Sequence, residues 1–304
     1  MSDHWFAVLN PKSAGGRAAR DRGRISEALR SAGVEFELAV SSQAGHALTL
    51  ATDAALRGYR KFVAIGGDGT LNELLNGALA SGAADPSDIV LAAIPVGRGN
   101  DWARGHHIPR RYAAAARLIA DGSTVRHDVG VVENITDEGR SVRHFLNVAG
   151  AGFDAHVVSL VQGNRWGGFS YLAALPTGFA SYASPVLSIA VNGETSTAEV
   201  FVVFAAIGRY CGGGMLVAPD AKSDDGLLDV VIVENISKWE LLLNIRRLFD
   251  GTIGTYKKAR CLRAPSIEIS APVPVASEAD GELLSSTPLS ISILQNGIRV
   301  VTPG

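Results

Sequence analysis

The chain has 304 residues, 47% of them hydrophobic and 19% charged, with a formal net charge of −2. That length suits two folded domains, and that balance excludes a disordered chain and argues against a nucleic-acid partner. Two cysteines without a CxxC pair supply neither a disulfide framework nor a metal cluster. No signal peptide and no apolar run of about 18 residues is present, so no transmembrane segment is expected.

From residue 1 to residue 125, short apolar runs alternate with helical patterns. Phe6–Asn10, Glu35–Val40, Lys61–Ile65 and Ile89–Pro95 read as strands. Arg17–Ser31, Gly45–Arg57, Leu71–Ala80 and Arg111–Asp121 read as helices. Such alternation predicts a parallel sheet with helices on its faces. After residue 126 the texture changes. Arg126–Val132, His144–Val148, Val186–Val191, Ala198–Ile207, Leu227–Glu234, Lys257–Leu262, Ser266–Ser270 and Pro288–Leu294 are strand-like runs between turn residues. Helices interrupt them near Phe169–Tyr182 and Lys238–Asp250. This second pattern predicts an antiparallel sandwich.

Ile65-Gly66-Gly67-Asp68-Gly69-Thr70-Leu71-Asn72-Glu73 runs from a strand through three glycines into a helix. Thr70 and Glu73 have capping-box spacing, which puts the helix start at Leu71. A Gly-rich turn beside unpaired helix N–H groups seats phosphate, because the backbone can approach closely. Asp68 would repel a bare phosphate, so it is expected to face magnesium or a ribose hydroxyl. Asn10-Pro11-Lys12-Ser13-Ala14-Gly15-Gly16 lacks the Walker A order but offers backbone donors and the charge of Lys12. Pro95-Val96-Gly97-Arg98-Gly99-Asn100-Asp101 closes the fourth strand. All three loops lie at carboxyl ends of strands, where open α/β sheets bind ligands. Ala279-Asp280-Gly281-Glu282 by itself reads as a hairpin turn.

Together these segments resemble the diacylglycerol kinase catalytic family, including its bacterial lipid kinase branch and its sphingosine and ceramide kinase relatives. Asn147-Val148-Ala149-Gly150-Ala151-Gly152-Phe153-Asp154, Gly212-Gly213-Gly214-Met215 and Asp225-Gly226-Leu227-Leu228-Asp229-Val230 carry the likeness through most of the chain. The resemblance implies an α/β nucleotide-binding domain like those of NAD kinase and phosphofructokinase over residues 1–125, completed by the last strand near 295–304. A β-sandwich lipid-substrate domain over residues 126–294 would follow, with the active site in the cleft between them. ATP would be held by Asn10, Pro11, Lys12, Ser13, Ala14, Ser41, Gly66, Gly67, Asp68, Gly69, Thr70, Leu71, Asn72 and Asn100. Asp68, Asp101 and Asp128 would form an acidic network linked to Mg²⁺. Asp280 resembles the general base, with Glu282 beside it, and a structural magnesium site would fall on Lys222, Asp225 and Leu227. Arg98 stands where the family usually has Thr or Ser, so its guanidinium either pairs with ATP phosphates or occupies part of the nucleotide pocket.

The expected function is ATP- and Mg²⁺-dependent phosphorylation of a hydroxyl on diacylglycerol or a related lipid. The alternatives are a soluble-metabolite kinase like NAD kinase and a non-catalytic lipid-binding regulator. A cytoplasmic protein transiently at a membrane surface is expected, with a homodimer as the assembly allowed for. Arg104, His106, His107, Arg110 and Arg111 near Trp102, and Arg165–Phe169, are the basic and aromatic stretches that would meet lipid.

Overall fold

Trp5–Leu9, the first strand (β1), is buried at every position, as a strand covered on both faces must be. The computed structural model describes residues 4–136, 139–163, 177–179 and 181–303. It divides into two units, residues 1–128 with 295–304 and residues 129–294.

In the first unit β1 lies between β2 (Phe36–Val40) and β3 (Lys61–Gly66), and β4 (Val90–Pro95) pairs with β3. All are parallel, and Arg299 and Val300 near the C-terminus add a further parallel pairing to β4. The helices are α1 (Ser13–Ser31), α2 (His46–Leu56), α3 (Asp68–Ala80), α4 (Asp101–Gly105) and α5 (Tyr112–Asp121). On one face Ala7, Leu9, Val63, Ile65 and Ile94 join Ile25 and Leu29 of α1 and Ile119 of α5 in a single core. Each fully buried aliphatic side chain there contributes about 1.5–3 kcal/mol. α2 and α3 pack closely at Gly77, where a Cβ would lie 2.2 Å from the Leu48 carbonyl oxygen.

The structure corrects the expected start of α3. It begins at Asp68, one turn before Leu71, and no side chain caps it. Thr70 is therefore inside the first turn and is no cap. Glu73 reaches across to α2 instead, where its two oxygens accept the Gly45 and Ala47 N–H groups at 3.1 and 2.9 Å. A carboxylate at the N-terminus of a neighbouring helix satisfies the same orphan donors that a capping box would.

The second unit takes in most of β5 (Thr124–Thr136), then β6 (Gly139–Phe145), β7 (Val148–Gly152), α6 (Phe153–Gly163), β8 (Val186–Val191) and β9 (Glu194–Ala206). A short hairpin, β10 (Tyr210–Cys211) with β11 (Met215–Leu216), precedes β12 (Leu228–Glu234), α7 (Lys238–Asn244) and α8 (Arg247–Asp250). The remaining strands are β13 (Ala259–Ala264), β14 (Ser266–Ser270), β15 (Ser277–Ala279), β16 (Glu282–Leu283) and β17 (Leu289–Val301), whose end lies in the first unit. β9 changes partners along its length. Glu194–Glu199 pairs with β8, whereas Val202–Ala206 pairs with both β7 and β12. Its burial changes with it, from mixed to continuous. Ile189, Val203, Val230, Ile267 and Ile291 share the core that the sandwich encloses.

Several expected elements differ. The His144–Val148 strand is divided, because Leu146 and Asn147 turn their N–H groups to the Asp280 carboxylate. The strand expected at Lys257–Leu262 runs at Ala259–Ala264, and the Lys238–Asp250 helix is two short helices. α6 was not anticipated from its glycine-rich approach. Apart from residues 177–179 and 181–182, the Phe169–Tyr182 helix lies outside the described residues, as does the Arg165–Phe169 stretch.

Candidate active site

Four chain segments knit together in the first unit. Asn10 at the end of β1 donates from Nδ2 to Thr70 Oγ1 at 3.3 Å, and its Oδ1 accepts the Lys12 N–H at 3.1 Å. A Cβ on Gly66 would stand 2.4 Å from Thr70 Oγ1 and 3.2 Å from Ser13 Oγ. Gly97 meets Gly67 so closely that a Cβ on Gly97 would be 2.5 Å from Gly67 Cα. Arg98 reaches the first loop, its Nη2 being 3.6 Å from where a Cβ on Gly15 would sit. Ala14, Gly15 and Gly16 all have positive φ, so this loop exposes backbone in place of side chains. Gly66, Gly67, Asp68, Leu71 and Asn100 line a narrow cleft.

The expected site residues occupy different settings here. Lys12 is exposed, Pro11 and Ser13 half-buried, and Ser41 is buried at the end of β2 with its N–H on the Leu9 carbonyl. Gly69 is half-buried in the first turn of α3. Asn72 is fully buried, and Asn76 Nδ2 donates to its side-chain oxygen at 3.0 Å, so its side chain serves packing. Asn100 has φ 51°, and its Nδ2 donates to the Gly97 carbonyl at 2.6 Å, which fixes the turn into α4.

Asp68 is the keystone of this turn. Its carboxylate accepts the N–H groups of Asp101 and Trp102, both at 3.0 Å, at the N-terminus of α4. Burial pushes its pKa above the usual aspartate range, and these two amides oppose that rise. Asp101 is buried and paired with Arg104 at 2.6 Å, and Asp128, also buried, accepts the Asn296 N–H at 2.6 Å. Among the described residues no three acids, histidines or cysteines gather into a metal-holding cluster.

Beneath α4 lies a network of imidazoles around Trp102. Trp102, expected near lipid, is 1% exposed. Its Nε1 donates to His127 Nε2 at 3.3 Å, and His106 Nε2 is 3.2 Å from the same atom. His127 Nδ1 is 2.5 Å from the Asp128 carbonyl oxygen, so Nδ1 carries the proton and Nε2 accepts. Burial, with His127 and His107 nearby, lowers the His106 pKa to about 3. Arg104 is engaged by Asp101, which leaves His107, Arg110 and Arg111 as the exposed part of that stretch.

In the second unit β15 and β16 form a hairpin with Asp280 and Gly281 at its tip, both at positive φ. Asp280 Oδ2 accepts the Leu146 N–H at 2.8 Å, and Oδ1 accepts those of Asn147 and Val148 at 2.9 and 3.3 Å. Three of a carboxylate's roughly four lone-pair sites are thereby directed, which fixes the orientation of the group. Glu282 is half-buried on β16. Glu278, which the sequence reading passed over, accepts the Gly281 N–H at 2.7 Å.

The structural-metal positions are neutralised from within. Asp225 Oδ1 accepts the Leu227 N–H at 3.1 Å, while Oδ2 pairs with Arg263, which also lies 3.5 Å from Asp229. A cation at Lys222, Asp225 and Leu227 would share the Asp225 carboxylate with that guanidinium.

The chain matches known proteins along almost its full length. The diacylglycerol kinase catalytic domain family matches residues 4–132, and the YegS C-terminal NAD kinase beta sandwich-like domain family matches residues 147–302. A Pseudomonas aeruginosa protein named "Probable lipid kinase YegS-like" is 31% identical over 99% of this chain and 95% of its own. A Mycobacterium tuberculosis protein named "Diacylglycerol kinase" is 29% identical over 98% and 94%. A crystal structure of a diacylglycerol kinase from Bacillus anthracis Sterne superposes with a TM-score of 0.73 at 23% identity, covering 99% of this chain and 97% of that one.

Proposed function

The chain belongs to the diacylglycerol kinase and YegS-like lipid kinase family, and from that premise we propose that it moves the γ-phosphoryl of ATP to a hydroxyl of diacylglycerol or a related membrane lipid. The observation that carries this reading is the contact of Gly67 with Gly97 at the uncapped start of α3. Two strand ends meet there with no side chain between them, beside N–H groups that a phosphate chain can use. Lys12 and Arg98 supply positive charge at the neighbouring loop.

Phosphoryl transfer depends on alignment and charge neutralisation more than on covalent chemistry. Mg²⁺ would supply that neutralisation when bound, held by Asp68, Asp101 and Asp128. Magnesium keeps several waters and takes one or two carboxylates plus substrate phosphates, so the three acids need not all touch it. Asp68 sets the α4 turn, Arg98 orients phosphate oxygens, and Asp280 accepts or orients the proton of the lipid hydroxyl. Among the described residues no helix is long and apolar enough to cross a membrane. Surface contact would use Trp239 and Leu243, four apart on α7 and 76% and 81% exposed, with the exposed Arg246 beyond them.

The test is transfer from labelled ATP with Mg²⁺ to diacylglycerol, monoacylglycerol, phosphatidylglycerol, sphingosine and ceramide in mixed micelles, with NAD as a soluble control. Label in one lipid supports the proposal and names the acceptor. Label in NAD alone, or in none of them, overturns it.

A further inference from the structure

Behind the Asp280 turn, two acids meet in the interior of the second unit. Glu278 is 6% exposed on β15 and Asp154 is 4% exposed in the first turn of α6. Glu278 is paired with Gly150 across β15 and β7, and a Cβ on Gly150 would lie 3.4 Å from Asp154 Oδ2, which brings the two carboxyl groups together. Asp154 Oδ1 accepts its neighbour's N–H at 2.8 Å, from Ala155, but Oδ2 is buried and meets no N–H or O–H donor among the described residues. Glu278 Oε2 accepts the Gly281 N–H. Among the described residues, the groups acting most strongly on the pair are each other, Asp280 and backbone amides.

Two acceptors in contact inside a protein are reconciled only by a proton between them, since both cannot ionise where water is excluded. Burial pushes the proton affinity of both carboxyls up, and the charge of Asp154 adds to the rise at Glu278. With one proton held, the unit has an O–H···O bond and one negative charge in place of two. Its geometry then matters twice. Glu278 is two residues before Asp280, and it grips the other residue of the same two-residue turn. Asp280 itself sits at φ 49°, a conformation that costs a non-glycine residue and needs support from both sides. Leu146, Asn147 and Val148 supply one side, and Glu278 supplies the other.

We infer that Asp154 and Glu278 form a proton-sharing pair that holds the Asp280–Gly281 turn in register, making both of them positioning residues for phosphoryl transfer. This rests on the assignment of Asp280 as the group that handles the hydroxyl proton. Loss of the shared proton would set a second negative charge beside Asp280 and weaken the grip on the turn. The other ionisable groups nearby are Tyr182 beside Asp154, Asp280 itself, His156 on α6, Glu282 on β16, and Arg143 and His144 on β6.

The test compares Glu278→Gln, Glu278→Ala and Asp280→Asn in the full chain, each with kcat and the KM for ATP measured across pH. Glutamine can accept from Gly281 and donate to Asp154 without a titrating proton. Glu278→Gln is expected to keep kcat near the wild type and to lack the alkaline fall of kcat expected of the wild type. Glu278→Ala is expected to lower kcat by about 10- to 100-fold, the scale of a misplaced catalytic group, with the KM for ATP unchanged. Infrared difference spectra at neutral pH should show a protonated carboxyl that is absent in Glu278→Gln. If Asp280→Asn is inactive while both Glu278 variants match the wild type in kcat and pH profile, the positioning inference fails and the assignment of Asp280 stands. Wild-type turnover by Asp280→Asn overturns the assignment of Asp280 itself. A protein without the protonated-carboxyl band overturns the shared proton whatever the kinetics show.

Discussion

Asp68 in the first unit and Asp280 in the second do the same structural work in unlike surroundings. Each carboxylate collects backbone N–H groups from a segment far away in sequence, two from the start of α4 for Asp68 and three from Leu146–Val148 for Asp280. Asp68 sits at a strand-to-helix turn of a parallel sheet, where glycines let neighbouring loops touch. Asp280 sits at the tip of a hairpin whose supports come from another strand and from α6. The first arrangement is a binding cradle built of backbone. The second holds a side chain still.

If that division is right, the largest effect belongs to Asp280. Asp280→Asn should lower kcat by about 10²–10⁴, as the loss of a general base does, in initial-rate measurements at saturating ATP and lipid. Next comes Gly97→Ala, whose Cβ cannot coexist with Gly67. Urea unfolding should show a loss of about 1–3 kcal/mol, the usual cost of overpacking, and ATP affinity measured by calorimetric titration should weaken with it. Two of the four tryptophans, Trp102 and Trp239, extend the contrast between the units. Serine at both Trp239 and Leu243 should weaken binding to anionic vesicles about tenfold in co-sedimentation, a fraction of the transfer energy of two apolar side chains. Unchanged binding would remove α7 from the membrane contact.

A pH titration probes the first unit from beneath. His106 has its folded pKa lowered to about 3 from an ordinary 6.5, so the unfolded chain takes up the proton first. The contribution is complete above pH 6.5 and is lost as pH falls from there toward 3. Urea midpoints should therefore fall with acidification by up to about 1.4 kcal/mol per pH unit, and less so in His106→Gln. The smallest effect is at α2, where Glu73→Ala should cost about 0.5–2 kcal/mol of stability in urea unfolding, as loss of a cap does.

The fold class was legible because it rests on periodicity, and periodicity is local. Alternating strands and helices announced the parallel sheet, and the short runs after residue 126 announced the sandwich. The glycine loops were legible for a related reason, since the close approach of Gly97 to Gly67 leaves no room for a side chain at Gly97. What could not be read was the choice of partner at a distance. Glu73 has the right spacing to cap its own helix, yet its oxygens serve Gly45 and Ala47. Trp102 looked like an interfacial aromatic among basic residues, but its ring is closed in by His106 and His127. The anchorage of Asp280 spans more than 130 residues of chain, and nothing in the tripeptide Asp280-Gly281-Glu282 foretells it. Glu278 was passed over because an acid on a strand ordinarily faces water, whereas this one faces Asp154.

The measurement that tests the division of labour most directly is ATP affinity in Asp280→Asn, set beside its turnover. The account predicts ATP binding equal to the wild type with turnover lost. A loss of ATP affinity as large as that of Gly97→Ala, or turnover equal to the wild type, would contradict it.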